Sequence, residues 1–248
     1  MLTIRSLLFT SFLFVSAIVG GVIELLLIWA PFRVNWAIAR GWAASCLWAG
    51  KFFCGLDVVT EGVENLPDEP SVVLIKHTTA METYWQIAAL PPQTWVLKKE
   101  LLWIPLFGWG VGIVMKPIAI DRKASGAAVR QIIEQGTERI ANGFWLTIFP
   151  EGTRMPPGET RRYGVSGAAV AEKSGCMIVP VAHNAGDFWP RRGLHKHPGT
   201  VRFCIGPPID PAGRSPKETN LIAQEWIEAK MREISSLYQP VREAGVAE

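Results

Sequence analysis

The sequence predicts an α/β fold with a mixed, largely parallel sheet flanked by helices and preceded by an N-terminal hydrophobic helical membrane anchor. Three observations carry this expectation. Beyond Gly55, short runs rich in Val, Ile and aromatic residues alternate with stretches of helical length or spacing. The apolar runs among them show the pattern of strands covered on both faces. Ahead of Gly55 lies a long, almost uncharged apolar segment. The expected organisation is a membrane-associated helical segment over 1–54, an α/β domain over 55–240 and a flexible tail over 241–248.

The first element, "LLFTSFLFVSAIVGGVIELLLIWA" from Leu7 to Ala30, holds one charge, Glu24. As a helix it would reach roughly 36 Å at about 1.5 Å per residue, enough to cross a hydrocarbon core of about 30 Å. It exceeds a signal-peptide core in length and has no fitting cleavage site, so it reads as a retained anchor. Pro31 then turns the chain into "VNWAIARGWAASCLWAGKFF", a tryptophan-rich stretch with embedded Arg40 and Lys51 that looks interfacial. Two readings follow: a single span, or a helical pair dipped into one leaflet. Candidate strands come next in order: "LDVVTEG", "SVVLIK", "TWVLKK", "IVMKPIAI", "FWLTIF", "MIVPVA" and "TVRFCIG". Helices are expected from Met81 onwards and over 123–141, 166–174 and 217–237.

Composition narrows the class of partner. At 49% hydrophobic residues with eleven tryptophans, the 248-residue chain points to a membrane lipid partner first. A formal charge of +3 without a long basic block gives no sign of a nucleic-acid partner, and none is expected. Four cysteines, at 46, 54, 176 and 204, form neither close metal-binding pairs nor a disulfide framework, which suits a reducing compartment.

The chemistry-bearing residues stand at strand ends. "SVVLIK" delivers His77 to a strand terminus, and Glu82 follows in the first turn of the next helix. A carboxylate bonded to one imidazole nitrogen fixes the tautomer and leaves the other nitrogen to accept a proton, so the pair can form a general base. Two later strands end in polar turns, "KPIAIDR" and "FPEGTR", which bring Arg122, Glu151, Gly152, Thr153 and Arg154 to the same edge if the termini are shared. Two guanidinium groups imply an anion such as phosphate. Elsewhere, "GVSGA" puts Ser166 near a nucleophile-elbow pattern but lacks its second flanking glycine, so Ser166 reads as the start of a helix. "HKH" at 195–197 lacks a third ligand, and no metal is assigned. "FWPRRGLHKH" reads as an exposed loop or a contact with anionic headgroups. "LLWIPLFGWGVGIV" reads equally as core or as an acyl groove.

Taken in order, "HTTAME", "KPIAIDR", "FPEGTR" and "VPVA" resemble the blocks of the 1-acyl-sn-glycerol-3-phosphate acyltransferases, within the glycerolipid acyltransferase family. The resemblance covers most of 56–210 and makes 55–240 an acyltransferase domain. The family's first block usually ends in aspartate, where this chain has Glu82 with one more methylene. What the resemblance implies is acyl transfer from acyl-CoA or acyl carrier protein to the sn-2 hydroxyl of lysophosphatidate, giving phosphatidate, with no metal or redox cofactor. His77 would act as general base oriented by Glu82. Arg122 and Arg154 would hold the acceptor phosphate, and Glu151 would bind the glycerol part or order the arginines. Backbone N–H groups at Gly152 and Thr153 are candidates to support the oxyanion. The implied location is the cytoplasmic membrane, with the active site on the cytoplasmic side. Two alternatives stay open: another lyso-lipid acceptor, or a membrane-anchored lipid-binding protein without catalysis.

Overall fold

The computed structural model describes residues 1–121 and 124–238. Arg122 and the expected flexible tail, 241–248, lie outside the described residues. The strands are β1 (Leu56–Glu61), β2 (Val72–Ile75), β3 (Gln93–Lys98), β4 (Ile118–Ile120), β5 (Trp145–Ile148), β6 (Ile178–His183) and β7 (Gly199–Ile205). They form one sheet in the order β1-β7-β6-β2-β5-β3-β4. β6 and β7 run antiparallel and every other neighbouring pair is parallel, so the mixed, largely parallel sheet is as expected. β1 sits at one edge, and β7 is its neighbour in the sheet.

The helices are α1 (Leu2–Leu26), α2 (Phe32–Ala49), α3 (Met81–Ala89), α4 (Phe107–Gly110), α5 (Ser125–Ala141), α6 (Ser166–Ser174), α7 (Ala185–Phe188) and α8 (Pro216–Ile234). The period-2 alternation of β2 explains why all four of its residues are apolar. Val72 and Leu74 pack with Ile132 of α5, Ala168 of α6 and Ile227 of α8 on one face. Val73 and Ile75 pack with Met81 and Trp85 of α3 and with Phe9 of α1 on the other. Each fully buried side chain of this kind contributes about 1.5–3 kcal/mol, so the central strand is held from both sides.

The N-terminal helices lie against this second face. Phe9 is buried and meets Trp189 edge to face at 5.2 Å. Further along α1, Glu24 packs on α4, where a Cβ on Gly110 would fall 2.7 Å from Glu24 Oε2, so glycine is what lets the two helices meet. The opposite face of α1 exposes Leu7, Leu8, Phe14, Val15, Ile18 and Val22. Among the described residues, α1 is the helix long and apolar enough to cross a membrane by length and composition.

One strand departs from expectation. The run "IVMKPIAI" yields only the three residues of β4, because Val111–Met115 forms a π-helical turn and Lys116 takes a left-handed φ of 47°. Val114 and Met115 are apolar because they pack on Trp36 and Ala39 of α2 and Ile87 of α3, not because they belong to the sheet.

Candidate active site

β2, β5 and β6 are parallel neighbours, so their C-terminal ends open on one edge of the sheet. That edge receives Lys76 and His77 from β2, Phe149 to Glu151 from β5, and His183 from β6. Strand ends at a shared edge are where an open α/β sheet assembles a site.

His77 is held on three sides. Its Nδ1 donates to Glu82 Oε1 at 2.8 Å, and its ring stacks on Phe149 with centroids 4.0 Å apart. Its carbonyl accepts the N–H of Met155 at 2.7 Å, which ties the "FPEGTR" turn to the histidine through main chain. Because a carboxylate only accepts, Nδ1 carries the proton and Nε2 is left as an acceptor.

The longer stem of Glu82 folds back over the start of α3. Oε1 also accepts the N–H groups of Thr78 at 2.9 Å and Thr79 at 2.8 Å, while Oε2 accepts the Thr79 hydroxyl at 2.5 Å. Burial alone would raise its carboxyl. The neighbouring His183 and His77 imidazoles and the hydrogen bonds from His77 and Thr79 outweigh burial and bring it down to about 2. Glu82 thus combines two tasks, closing the 78–79 turn and orienting an imidazole.

The other expected site residues fall in two places. Arg154 is half-buried in the turn that follows β5. Burial pushes the Tyr84 phenol up to about 12, and the Arg154 charge pulls against it, which puts Arg154 beside α3. Gly152 adopts φ 67°, in the left-handed region that favours glycine, and its N–H closes a turn onto Phe149 O at 2.9 Å. That N–H is therefore engaged, and among the described residues the Thr153 N–H is the one of the two oxyanion candidates without a partner. Glu151 turns away from the cleft: its side chain is fully buried, with Oε1 3.0 Å from Lys76 Nζ. Arg122, expected beside it, lies outside the described residues.

Two residues that sequence reasoning passed over complete the edge. Lys76, wholly buried, sits with Nζ 3.0 Å from Glu151 and 2.8 Å from Glu228 Oε1, and donates to Glu159 O at 3.1 Å. Thr160 and Tyr163 hydroxyls also donate to Glu228 Oε1, each at 2.8 Å. Burial pushes the Glu151 carboxyl up to about 7 against the pull of Lys76, and the like charge of Glu228 adds to the rise. His183 accepts the Ala185 N–H on Nδ1 at 3.3 Å and donates from Nε2 to Lys76 O at 2.8 Å. Its pKa is lowered, chiefly by burial and against the pull of Glu82, behind which it is packed. The signal for His183 was present: "VPVAH" ends an apolar strand on a histidine as "VLIKH" does.

The remaining motifs have structural places. Ser166 is buried at the first position of α6, as expected. In the "HKH" loop, His195 lies 3.0 Å from the Thr3 hydroxyl and Lys196 Nζ donates to Thr10 Oγ1 at 2.9 Å, so this loop clasps α1. The stretch 101–114 is not plain core, since Trp103, Ile104 and Trp109 are exposed.

Comparison with known proteins accords with this geometry. The family model described as Acyltransferase matches residues 57–184. Over 243 residues the chain is 38% identical to a 1-acyl-sn-glycerol-3-phosphate acyltransferase of Pseudomonas aeruginosa, covering 96% of this chain and 94% of that protein. It is 26% identical over 180 residues to the alpha form of that enzyme in Mus musculus, covering 70% of this chain and 62% of the mouse protein. The crystal structure of the 1-acyl-sn-glycerophosphate (LPA) acyltransferase PlsC from Thermotoga maritima shares the fold, with TM-score 0.76, 23% identity and coverage of 93% and 94% of the two chains.

Proposed function

Because this chain belongs to the acyltransferase family, we propose that it moves a fatty acyl group from a thioester to the sn-2 hydroxyl of 1-acyl-sn-glycerol-3-phosphate, forming phosphatidate. The donor is acyl-CoA or acyl carrier protein. The observation that carries this reading is the imidazole of His77, fixed by Glu82 at 2.8 Å and joined through its own carbonyl to the turn that bears Arg154.

The steps balance without a metal or redox group. Nε2 of His77 takes the hydroxyl proton as that oxygen attacks the thioester carbonyl. The tetrahedral oxyanion collapses, the C–S bond breaks, and the thiolate leaves as thiol with the proton from the imidazolium. Glu82 stabilises the imidazolium and stays ionised down to a pH of about 2, so it does not titrate in the working range. Arg154, with Arg122, holds the acceptor phosphate and thereby places the hydroxyl. Glu151 acts indirectly, by fixing the turn through Lys76.

A panel of lyso-lipid acceptors with labelled acyl-CoA and acyl carrier protein, on purified protein in lipid, tests the reading through thiol release and product identity. Preference for lysophosphatidate is expected; preference for another lyso-lipid, or tight lipid binding with no thiol release, would replace the proposal. In the same assay Arg154→Ala is expected to raise the acceptor KM at least tenfold, as loss of a charge-assisted phosphate contact does. Glu82→Gln should lower kcat more than Glu82→Asp, since only the former removes the charge; a fully active Gln variant would refute the orienting role.

The acceptor's chain explains the membrane. Each methylene drawn into water costs about 0.8 kcal/mol, so delivery along the bilayer avoids a large barrier. We read α1 and α2 as a helical pair lying in one leaflet of the cytoplasmic membrane, with the cleft on the cytoplasmic side. Bonds from the 195–196 loop to Thr3 and Thr10, and the approach of Gly110 to Glu24, fasten α1 to the domain along its length. Val15→Asp with Ile18→Asp, both on the exposed face, should shift the protein from vesicles to solution while far-UV circular dichroism is kept. Unchanged vesicle binding would place the anchor elsewhere.

A further inference from the structure

A cavity of about 510 Å³ lies at the edge of the sheet opposite His77. It is bordered by Thr94 of β3, by Lys116 ahead of β4 and by Phe144 ahead of β5, which are the N-terminal ends of strands parallel to β2. It is therefore separate from the cleft, and its volume is within the range of small-ligand sites, about 300–1,000 Å³.

Its walls hold polar groups that the fold leaves unsatisfied. Asn35 is 2% exposed and donates Nδ2 to Ala30 O at 3.1 Å, yet its Oδ1 accepts nothing. Arg139 gives Nη1 to Glu138 at 3.4 Å, while its buried Nε has no acceptor. At the rim, the exposed Lys116 is held in its left-handed conformation by a hydrogen bond from Thr94 Oγ1 to its carbonyl at 3.1 Å. Buried polar atoms without partners call for an explanation. Here an orphan cationic donor asks for an anionic oxygen, and an orphan amide oxygen asks for a hydroxyl.

Water alone would leave the rest of the wall uncovered. Phe32 and Phe144 meet edge to face at 4.7 Å and present apolar surface beside those groups. Ile28 and Ala30, in the turn between α1 and α2, line it on either side of the 94% exposed Trp29, so the cavity borders the helical pair that the membrane reading lays in one leaflet. We propose that this cavity is a second headgroup site, which takes the phosphate ester of an acidic glycerophospholipid. The phosphate lies between Arg139 and Lys116, a glycerol hydroxyl donates to Asn35 Oδ1, and the first methylenes of the chain cover Phe32 and Phe144.

The test uses full-length protein in neutral detergent with Arg154→Ala, which weakens phosphate binding in the cleft. Dihexanoyl-phosphatidylglycerol, dihexanoyl-phosphatidylcholine and glycerol 3-phosphate are each titrated against the thermal unfolding transition. The acidic lipid should raise the transition saturably, at least tenfold more tightly than the choline lipid. Arg139→Gln and Lys116→Gln should each weaken it about tenfold, the usual scale of a lost charge-assisted contact, while Arg191→Gln with Arg192→Gln should not. Equal saturation by glycerol 3-phosphate with the same Arg139 dependence would support the phosphate site with a soluble occupant. No saturable shift, or one indifferent to both Arg139→Gln and Lys116→Gln, would overturn the proposal; the exposed Lys116 variant keeps this decisive if Arg139→Gln folds poorly.

Discussion

His77→Ala is expected to lower kcat by about a hundred- to ten-thousandfold, the usual loss on removing a general base. The fold should survive it. Glu82 would lose one donor and keep three, the N–H groups of Thr78 and Thr79 and the Thr79 hydroxyl. The loss is then about one hydrogen bond and one ring contact, on the order of 1–3 kcal/mol, which moves the melting temperature of a chain this size by about 2–4 °C per kcal/mol. Initial rates of thiol release set beside thermal unfolding separate the two effects. Near-normal turnover in His77→Ala would remove the base from the mechanism.

Lys76→Met should have the largest effect on stability. It leaves the wholly buried Glu151 and the nearly buried Glu228 side by side without their cation, and breaking such a pair from one side costs about 3–5 kcal/mol. A drop in melting temperature on the order of 10 °C is expected. Adding Glu151→Gln should restore part of it, because a neutral amide needs no counter-charge. Glu151 also sets a pH dependence with a definite sign. Its carboxyl is raised from the usual 4.5 to about 7 in the folded state, so the folded protein holds this proton more tightly than the unfolded chain. The stabilisation is complete below 4.5 and is lost as the pH rises through about 7. Melting temperature should therefore fall across this window, and Glu151→Gln alone should flatten that part of the slope. A slope unchanged in Glu151→Gln would assign it to other groups.

Local pattern made much of this legible. His77 and Glu82 could be paired from sequence because a strand end, a three-residue turn and a first helical turn bring positions five apart together. β2, β5 and β6 were readable for a similar reason, as each is buried on both faces and so apolar at nearly every position, Thr147 and His183 excepted. What was not legible depended on distant partners. The burial of Glu151 against Lys76, a cation it shares with Glu228 far along the chain in α8, leaves no local mark. Val111–Met115 looked like a strand because apolar packing on α2 and α3 leaves the same letters as packing within a sheet. The orphan atoms of Asn35 and Arg139 leave no trace in the local sequence at all.

The pairing of β1 with β7 also governs how the chain can be made. At about 5–20 residues per second, a ribosome needs on the order of ten seconds between finishing β1 and delivering β7, its partner in the sheet. Trp189, against which Phe9 packs, also arrives late. Throughout that interval the nascent α1 lacks Trp189 and the loop that clasps it, and its exposed apolar face is what a bilayer would hold under the proposed anchor. On that proposal the bilayer is engaged first and the tertiary fold closes onto an already seated helix.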